Sequence, residues 1–151
     1  MNQFMKFLMI NGVRHTGIVV NEIENAIKFW VNLLGFKVVI DQIEEGQFID
    51  KLLGLDNVSV RTVKLAAQDG SLVELLHFIS HKSLPKWDGN PYKTGLTHIA
   101  LNVQNINETV LRLEQNSYHK VNEIQKSLNG NVLVCYIRGY EGILLELVEV
   151  I

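Results

Sequence analysis

Apolar positions along the chain switch between two periods, and the switches mark out the elements. The stretch VRHTGIVV (13–20) is short and rich in β-branched residues, as a strand is. In EIENAIKFWVNLLGF, Ile23, Ile27, Trp30 and Leu34 recur at helical spacing, and Gly35 suits a helix C-terminus. KVVI (37–40) reads as a strand and FIDKLLGL (48–55) as a short extra helix. VSVRTVKLAA and SLVELLHFI read as strands joined by a turn at Gln68-Asp69-Gly70. SHKSLPKWDGNPYKTG (80–95) holds both prolines and reads as a linker. The remainder predicts a strand over 96–103, a helix over about 105–116, and strands near 119–126, 132–138 and 143–150.

This order of elements is written twice. GVRHTGIVVNEI (12–23) aligns with GLTHIALNVQNI (95–106), which places Gly12 on Gly95, His15 on His98, Val20 on Val103 and Ile23 on Ile106. DGSLVELLHF (69–78) aligns with EGILLELVEV (141–150), which places Gly70 on Gly142, Leu72 on Leu144, Glu74 on Glu146 and Leu75 on Leu147. The first pair is offset by 83 residues and the second by 72, so the first copy carries 11 extra residues, which the added helix can supply. The expected fold is therefore α+β, a single domain over 1–151 built from two tandem βαβββ modules. The modules are expected at 12–80 and 95–151, with a linker at 81–94.

The repeat gives meaning to a carboxylate in an unusual place. Glu74 stands inside an apolar strand, where an unpartnered charge is costly. Strand alternation puts it on one face with Leu72, Leu76 and Phe78 and turns His77 to the other. If a pseudo-twofold axis relates the copies, His15, Glu74, His98 and Glu146 occupy equivalent places and can converge. Two imidazoles and two carboxylates suit a divalent Ni, Fe, Mn, Co or Zn ion, with the two glutamates neutralising its charge. On an octahedral ion two adjacent positions stay open for a substrate with neighbouring oxygens, which the metal polarises as a Lewis acid. A carboxylate that leaves the metal can act as general base. His77, His81 and His119 have no repeat partner and read as ordinary strand and surface residues, and NEIEN as a solvated helix start.

Bulk properties narrow the setting. A chain of 151 residues with 47% apolar and 20% charged residues can bury one real core but not two large ones. A net charge of −2 gives no reason to expect nucleic acid or an anionic membrane as partner. No apolar run reaches the ~20 residues needed to span a bilayer. MNQFMKFLMI is short, has one lysine and lacks a small-residue cleavage site, so it is expected to pack on the domain or on a partner subunit. The single cysteine, Cys135, lies in NVLVCYI and reads as a buried strand thiol, consistent with a cytoplasmic setting.

The opening HTGIVV with FW and LLGF, the GLTHIAL of the second half and the closing YIRGYEGILLELVEV resemble the vicinal oxygen chelate superfamily. That group includes glyoxalase I, methylmalonyl-CoA epimerase, extradiol dioxygenases, and fosfomycin and bleomycin resistance proteins. The resemblance covers the chain from about residue 12 to the end. It implies paired βαβββ modules forming a cupped, partly open barrel with helices outside, around a divalent metal held by His15, Glu74, His98 and Glu146. The set is similar to that of glyoxalase I, which implies a lyase or isomerase moving a proton through a metal-bound enediolate. Glu146 would then be the mobile base and Glu74 the opposing carboxylate. It also implies a homodimer and a small-molecule substrate. A non-haem iron extradiol-type dioxygenase and a non-catalytic binding or resistance protein of the same fold are the alternatives. Two departures speak against glutathione as the handle: KVVID has no Arg after the LGF turn, and RGYEG replaces DPDG or DPEG. Arg138, Tyr136 and Tyr140 are candidate substrate contacts.

Overall fold

A computed structural model describes residues 10–82, 87 and 90–151. The expected packing of residues 1–9, and residues 83–86, 88 and 89 of the linker, therefore lie outside the described residues.

The first module contains β1 (Thr16–Val19), α1 (Ile23–Lys28), β2 (Lys37–Glu45), α2 (Gln47–Leu53), β3 (Ser59–Ala66) and β4 (Leu72–Phe78). The second contains β5 (Ile99–Asn102), α3 (Ile106–Gln115), β6 (Gln125–Lys126), β7 (Val132–Arg138) and β8 (Leu144–Val150). Each forms its own four-stranded mixed sheet, ordered β1-β4-β3-β2 and β5-β8-β7-β6. In each sheet the first strand runs parallel to the last, and the other neighbours are antiparallel. Among the described residues, the result is two open sheets with three α-helices and no closed barrel. The extra helix of the first copy is α2, capped by Gly54 in the left-handed region.

Two elements differ from the sequence reading, each for a local reason. The helix expected through Leu34 is α-helical only to Lys28 and continues as a π turn over Phe29–Leu33. One extra residue per turn brings the adjacent Phe29 and Trp30 both inside, at 1% exposure each, while Ile27 and Leu34 are only partly buried. The strand expected near 119–126 shrinks to two residues. Upstream, the Asn122 side chain accepts the Tyr136 N–H at 3.0 Å, taking the place of a ladder carbonyl.

A shared core joins the modules. Val63, Leu65, Val73 and Leu75 of the first sheet, Cys135, Ile137, Leu145 and Leu147 of the second, and Ala26, Phe29, Trp30, Val110 and Leu113 of the helices are all buried in it. Polar contacts reinforce the junction. Glu141, in the turn before β8, accepts the Asn21 and Glu22 N–H groups at 2.9 and 3.0 Å, where α1 lacks a cap of its own. Arg112 of α3 donates to the Asn32 carbonyl.

The tightest point of this junction is Gly139. A Cβ there would come within 2.9 Å of Phe29 Cζ and Ile143 Cγ2 and 3.2 Å of Leu145 Cδ1. Gly139→Ala is therefore expected to destabilise the fold by about 1–3 kcal/mol through overpacking, measured by urea unfolding.

Candidate functional site

The burial pattern of β4 and β8 decides which way the acidic residues face. Val73 and Leu75 are buried in the shared core, so Glu74 points to the opposite face of the first sheet. Leu145 and Leu147 do the same for Glu146 on the second sheet. His15 and His98 each stand one residue before the first strand of their module. The parallel register aligns Gly17 with Glu74 and Ala100 with Glu146, so each histidine lies two residues back on the carboxylate face. Gly17 and Ala100 are themselves repeat-equivalent and small.

The resulting contacts are pairwise. His15 Nε2 is 3.6 Å from Glu74 Oε1, and His98 Nε2 is 3.0 Å from Glu146 Oε2. Among the described residues, no three His, Cys, Asp or Glu side chains come together as a metal-holding group. The structure thus brings the four residues together as two pairs within one chain, not as four. The reason is the shared core: the modules meet through the faces that carry Leu75 and Leu147, which turns Glu74 and Glu146 outward.

The two pairs are dressed differently. Thr97 Oγ1 and His98 Nδ1 are 2.8 Å apart, a contact that fixes the ring, and Tyr136 stands edge-on to it with its hydroxyl 3.5 Å from Nε2. Tyr136 is also the register partner of Glu146, and burial pushes its phenol above the ordinary range, helped by the nearby carboxylate. His15 Nδ1 is buried with no hydrogen-bond partner among the described residues. Its neighbour Glu74 has a second contact, Lys64 Nζ at 3.4 Å from Oε2. Lys64 is aligned with Glu74 across the β3–β4 pair, as Tyr136 is with Glu146, and the 72-residue offset relates the two.

Lys64 and Thr97 escaped the sequence reading. The signal for Lys64 was the hairpin register set by Gln68-Asp69-Gly70, which places it opposite Glu74. Of the weaker candidates, Tyr136 stands in the second pair. Arg138 lies two residues further along the same face, with Nη1 3.4 Å from the Gly142 carbonyl. Tyr140 lines a cleft of about 640 Å³ between the modules, together with Thr16, Val19, Trp87, His98 and Ile143. Burial raises its phenol too. His77 faces away from Glu74, with Nδ1 3.3 Å from the Val20 carbonyl.

Comparison with known proteins now places the chain. Residues 14–136 match the Glyoxalase/Bleomycin resistance protein/Dioxygenase superfamily, and the chain belongs to it. It is 23% identical over 138 residues to lactoylglutathione lyase of Neisseria meningitidis, covering 89% of this chain and 88% of that protein. Its structure is similar to that of a glyoxalase family protein from Bacillus cereus, with a TM-score of 0.89 and 27% identity, covering 97% of this chain and 99% of the other. It also resembles a fosfomycin resistance protein of Listeria monocytogenes complexed with Mn(II) and sulfate, with a TM-score of 0.60 and 16% identity over 93% of each chain. Among the described residues no helix is long and apolar enough to cross a membrane.

Cys135 is fully buried, and desolvation pushes its thiol above the ordinary range. It is expected to stay unreactive towards an aromatic disulfide reagent in the native protein and to react once the chain is unfolded in urea, followed by absorbance.

Proposed function

We propose that the protein is a metal-dependent lyase or isomerase that moves a proton on a small molecule with vicinal oxygens. The observation that carries this reading is the pair of His–Glu contacts, 3.6 Å and 3.0 Å, at repeat-equivalent places. The donor chemistry fits a divalent ion such as Ni, Co, Mn, Fe or Zn: each pair offers one imidazole nitrogen and one carboxylate oxygen side by side. The unpartnered Nδ1 of His15 is no obstacle, since Nε2 is the atom turned to the carboxylate. Two such pairs make a complete set only when brought face to face. Both pairs point away from the shared core, so a second copy of the chain is the natural source of the missing half, and the active species is a homodimer.

When bound, the ion supplies a Lewis acid that polarises the substrate oxygens. The residues of the chain do the rest. Glu146 takes the proton from the carbon beside the polarised carbonyl and returns it to the neighbouring position. Glu74 is the opposing carboxylate. Thr97 holds the ring of His98 in one orientation, as outer-shell partners of metal-bound histidines do. Tyr136 contacts the substrate next to His98, and the cleft lined by Val19, Trp87, Tyr140 and Ile143 takes its apolar part. The lyase reading draws support from the likeness to the Neisseria lactoylglutathione lyase, while the missing Arg after Phe36 argues for a thiol adduct other than that of glutathione.

The test begins with metal-free protein loaded in turn with Ni, Co, Mn, Fe and Zn, with bound metal per chain and turnover of a methylglyoxal–thiol adduct and an acyl-CoA epimer as readouts. His15→Ala and His98→Ala are each expected to lose bound metal; unchanged metal content in both would overturn the reading. Glu146→Gln is expected to lower kcat by about a hundredfold or more, the usual range for loss of a general base.

A further inference from the structure

Glu74 already has a cation beside it. Its two oxygens are divided between His15 Nε2, 3.6 Å from Oε1, and Lys64 Nζ, 3.4 Å from Oε2. The glutamate side chain is 13% exposed and the lysine 21% exposed, so the pair is only partly screened by water. Backbone register fixes the encounter, because Lys64 and Glu74 are directly opposite in the β3–β4 pair. In the second module the same place is taken by Tyr136, a neutral residue opposite Glu146. The two halves are therefore alike in ligands and unlike in charge.

A divalent ion that takes Glu74 as a ligand must displace the ammonium from the carboxylate or stand close beside it. Both are unfavourable: the first breaks an ion pair and the second sets like charges near one another. The lysine stem has four carbons and rotates freely, so displacement is sterically simple.

We propose that Lys64 is a built-in competitor for the metal at Glu74. In the metal-free chain its ammonium neutralises the partly buried carboxylate and keeps it in place; on loading it leaves. Lys64 thereby sets the affinity of the whole site and makes the His15–Glu74 half the weaker one. It is a positioning and tuning residue. The proposal rests on the ligand roles assigned above, and the experiment separates the two.

Metal-stripped wild type, Lys64→Met and Lys64→Arg are titrated with Ni(II) and with Mn(II) by calorimetry, with thermal melts to confirm folding. Lys64→Met is expected to bind about tenfold more tightly or better, the scale on which a like charge within ~4–6 Å moves such an equilibrium. Lys64→Arg, which keeps the charge, is expected to stay near wild type. Equal or weaker binding by Lys64→Met overturns the proposal, and Lys64→Gln replaces it in the titration where the Met variant does not fold. If wild type binds metal, His15→Ala abolishes binding and Lys64→Met changes nothing, the competition fails while the ligand reading stands. If no variant binds either ion, both fall together.

Discussion

The site depends on one constraint: each module closes its sheet by pairing its first strand, parallel, with its last. Without the β1–β4 pair, His15 and Glu74 are 59 positions apart along the chain, and without β5–β8, His98 and Glu146 are 48 apart. A parallel pair needs a long crossover, which α1 with β2 and β3, or α3 with β6 and β7, provides. The helix of each crossover then lies on the sheet face it covers, and its apolar side chains commit that face to the core. The opposite face carries Glu74 and Glu146, set among partly buried apolar neighbours such as Leu72 and Leu76. The position of the chemistry is thus a by-product of where the helices pack.

The same packing limits what a single chain can assemble. Phe29, inserted against Gly139, and Glu141, capping the start of α1, lock the helical faces of the modules together. Glu141 accepts a left-handed backbone, φ 51°, to reach those N–H groups. A fold locked through its helical faces presents its two carboxylate faces separately, and the two His–Glu pairs with them.

Much of this was legible in the sequence because duplication leaves a signature that no single motif has. Two offsets, 83 and 72, identified both modules, both histidines and both glutamates, and their difference measured the extra length that the helix read in FIDKLLGL, now α2, can supply. The period-two pattern of SLVELLHFI also gave the facing of Glu74 against His77. What stayed hidden required contacts instead of periods. The π turn at Phe29 reflects the demand of the shared core for two adjacent aromatic residues, which a regular helical period cannot show. Lys64 looked like any strand lysine until a register set it beside Glu74. The pseudo-twofold argument placed four residues in equivalent positions, but equivalence does not say whether two faces turn towards or away from each other.

Duplication should yield a symmetric site, and the departures from symmetry are therefore the informative part. His98 has Thr97 to hold its ring; the repeat-equivalent of Thr97 is Arg14, and His15 Nδ1 is left buried without a partner among the described residues. Glu146 faces a phenol, and Glu74 faces an ammonium. The His15 ring has no hydrogen bond at Nδ1 to hold it, whereas His98 is held by its neighbour. One half is thus oriented and free of competing charge, and the other is looser and already neutralised. The proton transfer proposed above would use this inequality, with one carboxylate accepting the proton while its counterpart stays in place. Under the proposed function, the second module would be the reacting half and the first the anchoring half.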